Sequence, residues 1–169
     1  MAKQISLREF QQGLAQRLRE AQAEAEPTSR LGVQAGNGTW LLKLDDAGEM
    51  LPLPEISSVP LTRPWYLGLA NIRGVLSSVV DFAAFSGGEV TVRTPDCRLL
   101  LIAERFQSFS GLVISRMLGL KNVQAMQPVQ EAASQPWIAG AFRDDEGRLW
   151  HELNIGALVA HEDFLRVGV

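Results

Sequence analysis

The stretch PWYLGLANIRGVLSSVVDFAA, residues 64–84, holds two apolar runs separated by Arg73-Gly74. A strand, a tight turn and a second strand account for this pattern, because glycine supplies the positive φ that short hairpin turns demand. Asp81 then stands where an N-cap belongs, ahead of the apolar segment FAAF and the glycine stop at Ser86-Gly87-Gly88. The turn explains the glycine. Nothing local explains an arginine between two buried runs.

The same text recurs 72 residues later, where residues 136–157 read PWIAGAFRDDEGRLWHELNIGA. With one extra residue allowed in the second turn, Gly74 aligns with Gly147, Leu76 with Leu149, Asp81 with Asn154 and Ala84 with Ala157. Ordered self-similarity of this kind marks a repeated structural unit. It predicts two similar small β lobes with strands spaced as in a barrel. Arg73 falls near Glu146, so equivalent turns present opposite charges and a shared folding requirement cannot account for the arginine.

Ahead of the lobes, Ser6-Leu7-Arg8-Glu9 has the spacing of a capping box, and Leu7, Phe10, Leu14 and Leu18 recur on one helical face. Pro27-Thr28-Ser29 ends that pattern. Residues 1–29 therefore read as an amphipathic helix and linker, and residues 30–169 as a domain of two β lobes. Within the domain, LGVQAGNGTWLLKL reads as a hairpin about Gly36-Asn37-Gly38, and EVTV, LLLIA and GLVI read as strands. WIAGAF and RLWHEL read as strands flanking DDEG, with NIGALVAHEDFL helical after them. DDAGEML and LPLPEISSVPL read as turn-rich connections, and residues 119–135 as irregular.

A chain of 169 residues with 46% hydrophobic content can bury the core of one domain or two small lobes. Its one cysteine, Cys97, excludes an internal disulfide and a multi-cysteine metal site. MAKQISLREF lacks the apolar core of a secretory signal, and no uncharged apolar run approaches the ~20 residues of a membrane-crossing helix. A cytoplasmic location without direct membrane insertion is expected. Residues 31–169 carry eleven basic and fifteen acidic side chains with no basic stripe, so a nucleic-acid partner is not expected.

Catalytic signals are sparse. His151 and His161 are the only histidines, and neither belongs to an H-E-x-x-H pair. Asp144-Asp145-Glu146-Gly147 lacks the alternating ligands of a calcium loop and suits a solvated turn, as do Asp45, Asp46 and Glu49. No phosphate-cradling glycine loop or nucleophile elbow occurs. No cofactor and no catalytic residue is expected. An enzymatic alternative would use Asp81, Arg73 and His151, and requires them in one pocket. Recognition by surfaces remains, with Gly68 suiting a bulge, Gly74 a turn, and Gly111 a close approach of strands.

GLANIRGVLSSVVDF resembles the signature of the CheW-domain family, G-x-x-N-(L/I)-R-G-x-(L/I/V)-x-P-(L/I/V)-x-D-(L/F), with Gly68, Asn71, Arg73, Gly74 and Asp81 on its marked positions. GLVISRMLGL resembles that family's later segment G-(I/L/V)-x-V-D-x-V. The resemblance spans about residues 30–160, and the wording ANIRG is most like CheW-like proteins of type IV pilus chemosensory systems. It implies a mainly β, CheW-like fold: two small five-stranded β-barrel lobes packed together, with an N-terminal α-helix and short helices. It also implies a non-enzymatic adaptor joining the cytoplasmic tip of a methyl-accepting chemoreceptor to the regulatory domain of a CheA-type histidine kinase. Such an adaptor would work at membrane-associated receptor arrays, in twitching motility or, alternatively, in another chemotaxis pathway. By motif, Gly68, Asn71, Arg73, Gly74, Gly111 and Leu120 fall at partner-binding positions. Two residues depart from the family pattern: Ser78 replaces its proline and Ser115 its aspartate.

Overall fold

Both copies of the repeated text fold into the same corner. In the computed structural model, which describes residues 28–131 and 133–169, β4 (Tyr66–Ile72) and β5 (Val75–Asp81) pair about Arg73-Gly74. β10 (Ile138–Arg143) and β11 (Leu149–Leu153) pair in the same way. Each first strand is bulged at its glycine, between Tyr66 and Gly68 and between Ile138 and Gly140. Asp81 accepts the Ala84 N–H at 3.2 Å and Asn154 accepts the Ala157 N–H at 3.0 Å. These bonds satisfy free donors at the start of α1 (Phe82–Phe85) and α2 (Ile155–Ala160). The repeated tryptophan has a matching part: the N–H of Asp81 donates to the Trp65 carbonyl and that of Asn154 to the Trp137 carbonyl, each at 2.8 Å. A third helix, α3 (Glu162–Leu165), follows.

The remaining strands are β1 (Ser29–Ala35), β2 (Gly38–Lys43), β3 (Ala47–Pro52), β6 (Arg98–Ile102), β7 (Ser110–Ile114), β8 (Arg116–Asn122) and β9 (Gln127–Val129). Among the described residues they form two sheets, ordered β8-β1-β2-β11-β10-β9 and β3-β6-β7-β5-β4. The sheets correspond place for place. In each, an antiparallel hairpin is joined through one parallel pairing, β2 with β11 or β7 with β5, to the repeated hairpin. One lobe draws β1 and β2 from before the other lobe's residues and β8–β11 from after them; the second lobe is continuous from β3 to β7.

The two-lobe, mainly β expectation holds, with a correction to strand count and closure. One sheet has six strands rather than five, and neither backbone ladder closes into a ring. The sixth strand is an extension of a contact both lobes make. Val129 of β9 pairs with Ala141, and 72 residues earlier Ser57 makes a single bridge to Leu69.

Other expectations shift locally. DDAGEML, read as a turn, supplies β3, and part of the segment 119–135 lies in β8 and β9. EVTV is a loop rather than a strand, because buried Asp81 takes hydrogen bonds from the Thr91 N–H at 2.7 Å and hydroxyl at 2.8 Å. Val90 and Val92 are left exposed. The helix expected ahead of Pro27 lies outside the described residues; of the expected linker, Thr28 is in a turn and Ser29 already belongs to β1.

Val33, Trp40 and Leu42 of one sheet meet Val80, Leu100, Leu112 and Ile114 of the other in a common core, with Phe82, Trp137 and Leu158 between them. Ala70, Val79, Leu99 and Val113 fill the interior of the continuous lobe. Neighbours such as Val79 and Val80, or Leu99 and Leu100, point into different cores and are all buried. That is why these strands read as unbroken apolar runs instead of alternating.

The two caps differ in what their loss leaves behind. Asp81→Ala strands three half-buried donors and is expected to cost about 2–4 kcal/mol, whereas Asn154→Ala removes one helix cap and costs about 1 kcal/mol. Urea denaturation of both variants measures the difference.

Candidate functional site

The candidate site grows from the β4–β5 turn. Ile72 pairs with Val75, leaving Arg73 and Gly74 as the two turn residues, with φ of 52° and 86°. Both are left-handed, as a type I′ turn requires. Asparagine followed by glycine occupies such a turn with least strain, so arginine at its first position is a local conflict. The Gly74 N–H donates to Asn71 Oδ1 at 2.7 Å and fixes the turn.

The arginine side chain has a partner that the sequence reading assigned to a turn. Its two terminal nitrogens donate to the two carboxylate oxygens of Glu49, each at 2.5 Å. Glu49 lies on β3, at the opposite edge of the five-stranded sheet from β4. The ion pair thus spans the gap between two sheet edges that no backbone ladder joins. The hydrogen bond to Glu49, and then its negative charge, raise the Arg73 pKa, so the guanidinium stays cationic. With 72% of its side chain still exposed, the pair adds little to folding.

Beneath the pair opens a cleft of about 390 Å³, lined by Ile72, Val75, Leu101, Gln107 and Phe109 among others. Phe109 is 62% exposed, and Val75 is exposed with it at the same cleft. Gln107 and Phe109 also hold left-handed backbone, with φ of 50° and 45°. Three non-glycine residues in this unfavourable region surround one cleft, and such strain gathers at functional sites. An apolar rim crossed by a fixed ion pair, with Glu104 also in the lining, has the make-up of a protein-docking surface. Among the described residues no group of three or more His, Cys, Asp or Glu side chains could hold a metal.

The six residues singled out from sequence divide into three groups. Asn71, Arg73 and Gly74 share the turn. Gly68 and Gly111 lie buried in the lobe behind it. A Cβ on Gly68 would stand 2.0 Å from the Ser57 carbonyl oxygen, and one on Gly111 would stand 2.6 Å from Leu99 Cδ1. Both glycines therefore permit close packing under the site and present no side chain to a partner. Leu120 stands apart on β8, in the other sheet, and is 66% exposed.

Asp81, Arg73 and His151 are not brought together. Asp81 is buried and bonded to Thr91, while His151 sits on β11 of the other sheet, with Nε2 3.3 Å from Glu131. Ser115 accepts the Gly36 N–H at 3.1 Å and so ties the end of β7 to the β1–β2 turn. Ser78 shares a 3.1 Å hydrogen bond with the Tyr66 hydroxyl.

The second lobe's turn is built differently. Asp144 Oδ2 accepts the indole N–H of Trp150 at 2.8 Å, and Oδ1 accepts the backbone N–H groups of Glu146 and Arg148. The extra residue of this turn is accommodated by Gly147, with φ of 81°. Asp144 therefore organises its own hairpin, while Asp145 and Glu146 are exposed.

A family model described as the CheW-like domain matches residues 30–163. Protein PilI of Pseudomonas aeruginosa is 30% identical over 155 residues, covering 88% of this chain and 85% of that protein. Among solved structures, the scaffolding protein TtCheW from Thermoanaerobacter tengcongensis aligns with a TM-score of 0.61. It covers 75% of this chain and 88% of its own at 15% identity, a likeness of fold. Among the described residues no helix is long and apolar enough to cross a membrane.

The hydrogen bond from Trp150 holds the Asp144 pKa below its ordinary value of 3.8. A carboxyl lowered in the folded state stabilises the fold above its unfolded pKa and loses that contribution as pH falls through the folded value. The Trp150 indole N–H resonance is therefore expected to shift only below about pH 4. In Asp144→Asn that acid transition disappears, as NMR titration can check.

Proposed function

The chain belongs to the CheW-like domain family, and from that membership we propose that it is a non-enzymatic coupling protein of a type IV pilus chemosensory system. The pilus assignment is supported by the ANIRG wording and by the likeness to PilI along most of both chains. Its partners are the cytoplasmic tip of a methyl-accepting receptor and the regulatory domain of a CheA-type kinase. Coupling here is assembly: holding both partners in register lets a conformational change in one bias the other.

The cleft under the Arg73–Glu49 pair is the observation that carries this reading. Val75 and Phe109 offer the apolar contact that supplies affinity, and the clamped guanidinium orients what docks there. This lobe mouth receives a lobe of the kinase regulatory domain, and the receptor hairpin lies between the lobes. A turn residue chosen for binding at the expense of local strain fits such a role.

Binding to the cognate receptor tip and kinase regulatory domain tests the assignment. Arg73→Glu is expected to weaken the kinase contact about tenfold, through lost charge complementarity. Arg73→Asn, which suits the type I′ turn better, is expected to raise the urea midpoint while weakening the same contact. Unchanged affinity for both partners in correctly folded Arg73→Glu would remove Arg73 from the interface.

A further inference from the structure

The six-stranded sheet carries another cleft, of about 440 Å³, which shares no lining residue with the Arg73 site. Arg116, Arg148 and His151 line it with Gln34, Asn37 and Thr39, and no carboxylate does. This is a local reversal in a stretch, residues 31–169, whose acidic side chains outnumber its basic ones.

Arg116 is held in place. Arg116 Nε donates to Gln34 Oε1 at 2.9 Å, and Gln34 Nε2 donates to the Gly36 carbonyl at 3.0 Å. That arrangement fixes the guanidinium and leaves its two terminal nitrogens for a ligand. Neither Arg116 nor Arg148 has an ion-pair partner among the described residues. Two acids adjoin the cleft: Asp144 binds the Arg148 backbone N–H at 2.8 Å, and Glu131 faces His151.

One more donor lacks an acceptor. Trp40 is only 6% exposed, yet its indole Nε1 has no hydrogen-bond partner. It lies 2.8 Å from the position a Cβ on Gly38 would take, and Gly38 lines both this cleft and an adjoining one of about 480 Å³. Trp40 itself lines the adjoining cleft, together with exposed Val90 and Val92 and with Glu89. A buried donor left unpaired in a native fold calls for an explanation. Two exposed guanidinium groups without a salt bridge call for oxygen acceptors, although the Arg148 charge also acts on Asp144.

We propose that these joined clefts receive an extended acidic segment of a protein partner. Its carboxylates meet Arg116 and Arg148, and its backbone passes the Trp40 side chain where that residue lines the adjoining cleft. Val90 and Val92 call for apolar groups beside the charges, which a peptide has and an inorganic anion lacks. This surface is distinct from the lobe mouth assigned above.

The test uses the full chain and a fluorescein-labelled peptide of repeated Glu-Val-Glu, followed by fluorescence anisotropy. Saturable binding that weakens as salt rises is expected, with a shift of the Trp40 indole N–H resonance. The double variant Arg116→Gln, Arg148→Gln, both exposed positions, is expected to bind about tenfold more weakly, and Arg93→Gln to bind as the parent does. Absence of binding, equal binding of a Lys-Val-Lys peptide, or full affinity in the double variant would overturn the proposal. Binding to phosphatidylglycerol vesicles without binding to the peptide would give the clefts to a membrane surface and overturn it as well.

Discussion

Trp40, Phe82 and Trp137 meet between the two sheets, with ring centroids 4.9 Å apart for Trp40–Phe82 and 5.7 Å for Phe82–Trp137. They come from β2, the start of α1 and the residue before β10, so one contact draws on three distant parts of the chain. Edge-to-face pairs contribute about 0.5–1.5 kcal/mol beyond the area they bury. The larger effect is a geometric constraint. Each sheet must turn one face to this shared layer and curl the other around its own lobe. The central strands β5, β6 and β7 then have little free face, and solvent meets mainly strand ends and turns. The candidate sites lie there for that reason: a hairpin tip with its cleft, and the ends of β1, β2 and β8.

The repeated corner was legible because its parts are local. A glycine turn, an Asx cap and a short apolar helix are each fixed by a few neighbouring residues, and the 72-residue echo confirmed their order. Edge strands were harder. β3 and β9 carry prolines and polar residues and are held by partners far along the chain, so their text looks like turn or irregular structure. EVTV has the alternation of a strand, but the buried carboxylate of Asp81 claims its threonine. Local pattern lost to a tertiary hydrogen bond. Glu49 was hidden for a similar reason: its role comes from facing Arg73 across the curled sheet, and DDAGEM gives no sign of that.

The likeness of the lobes makes their difference informative. One hairpin tip sends a cation across its sheet to Glu49; the other turns an acid inward to Trp150 of its own hairpin. The first arrangement leaves a guanidinium at an apolar rim, and the second leaves Asp145 and Glu146 in solvent. A partner meeting the two ends of this molecule therefore meets two chemistries on one architecture. The protein thus has a direction that its internal repeat alone would not give it.

The way the lobes share the chain also bears on how the protein is made. The continuous lobe has all its strands once the ribosome has passed β7. The other begins with β1 and β2 and then waits for β11, since Trp40 pairs with His151. Until that strand emerges, β2 presents an unpaired edge and the common core lacks Trp137 and Leu153. A prematurely terminated product would keep the signature turn while exposing that edge and half-filled core to proteases and chaperones. Completion of the last hairpin thus covers the β2 edge and fills the common core in a single step.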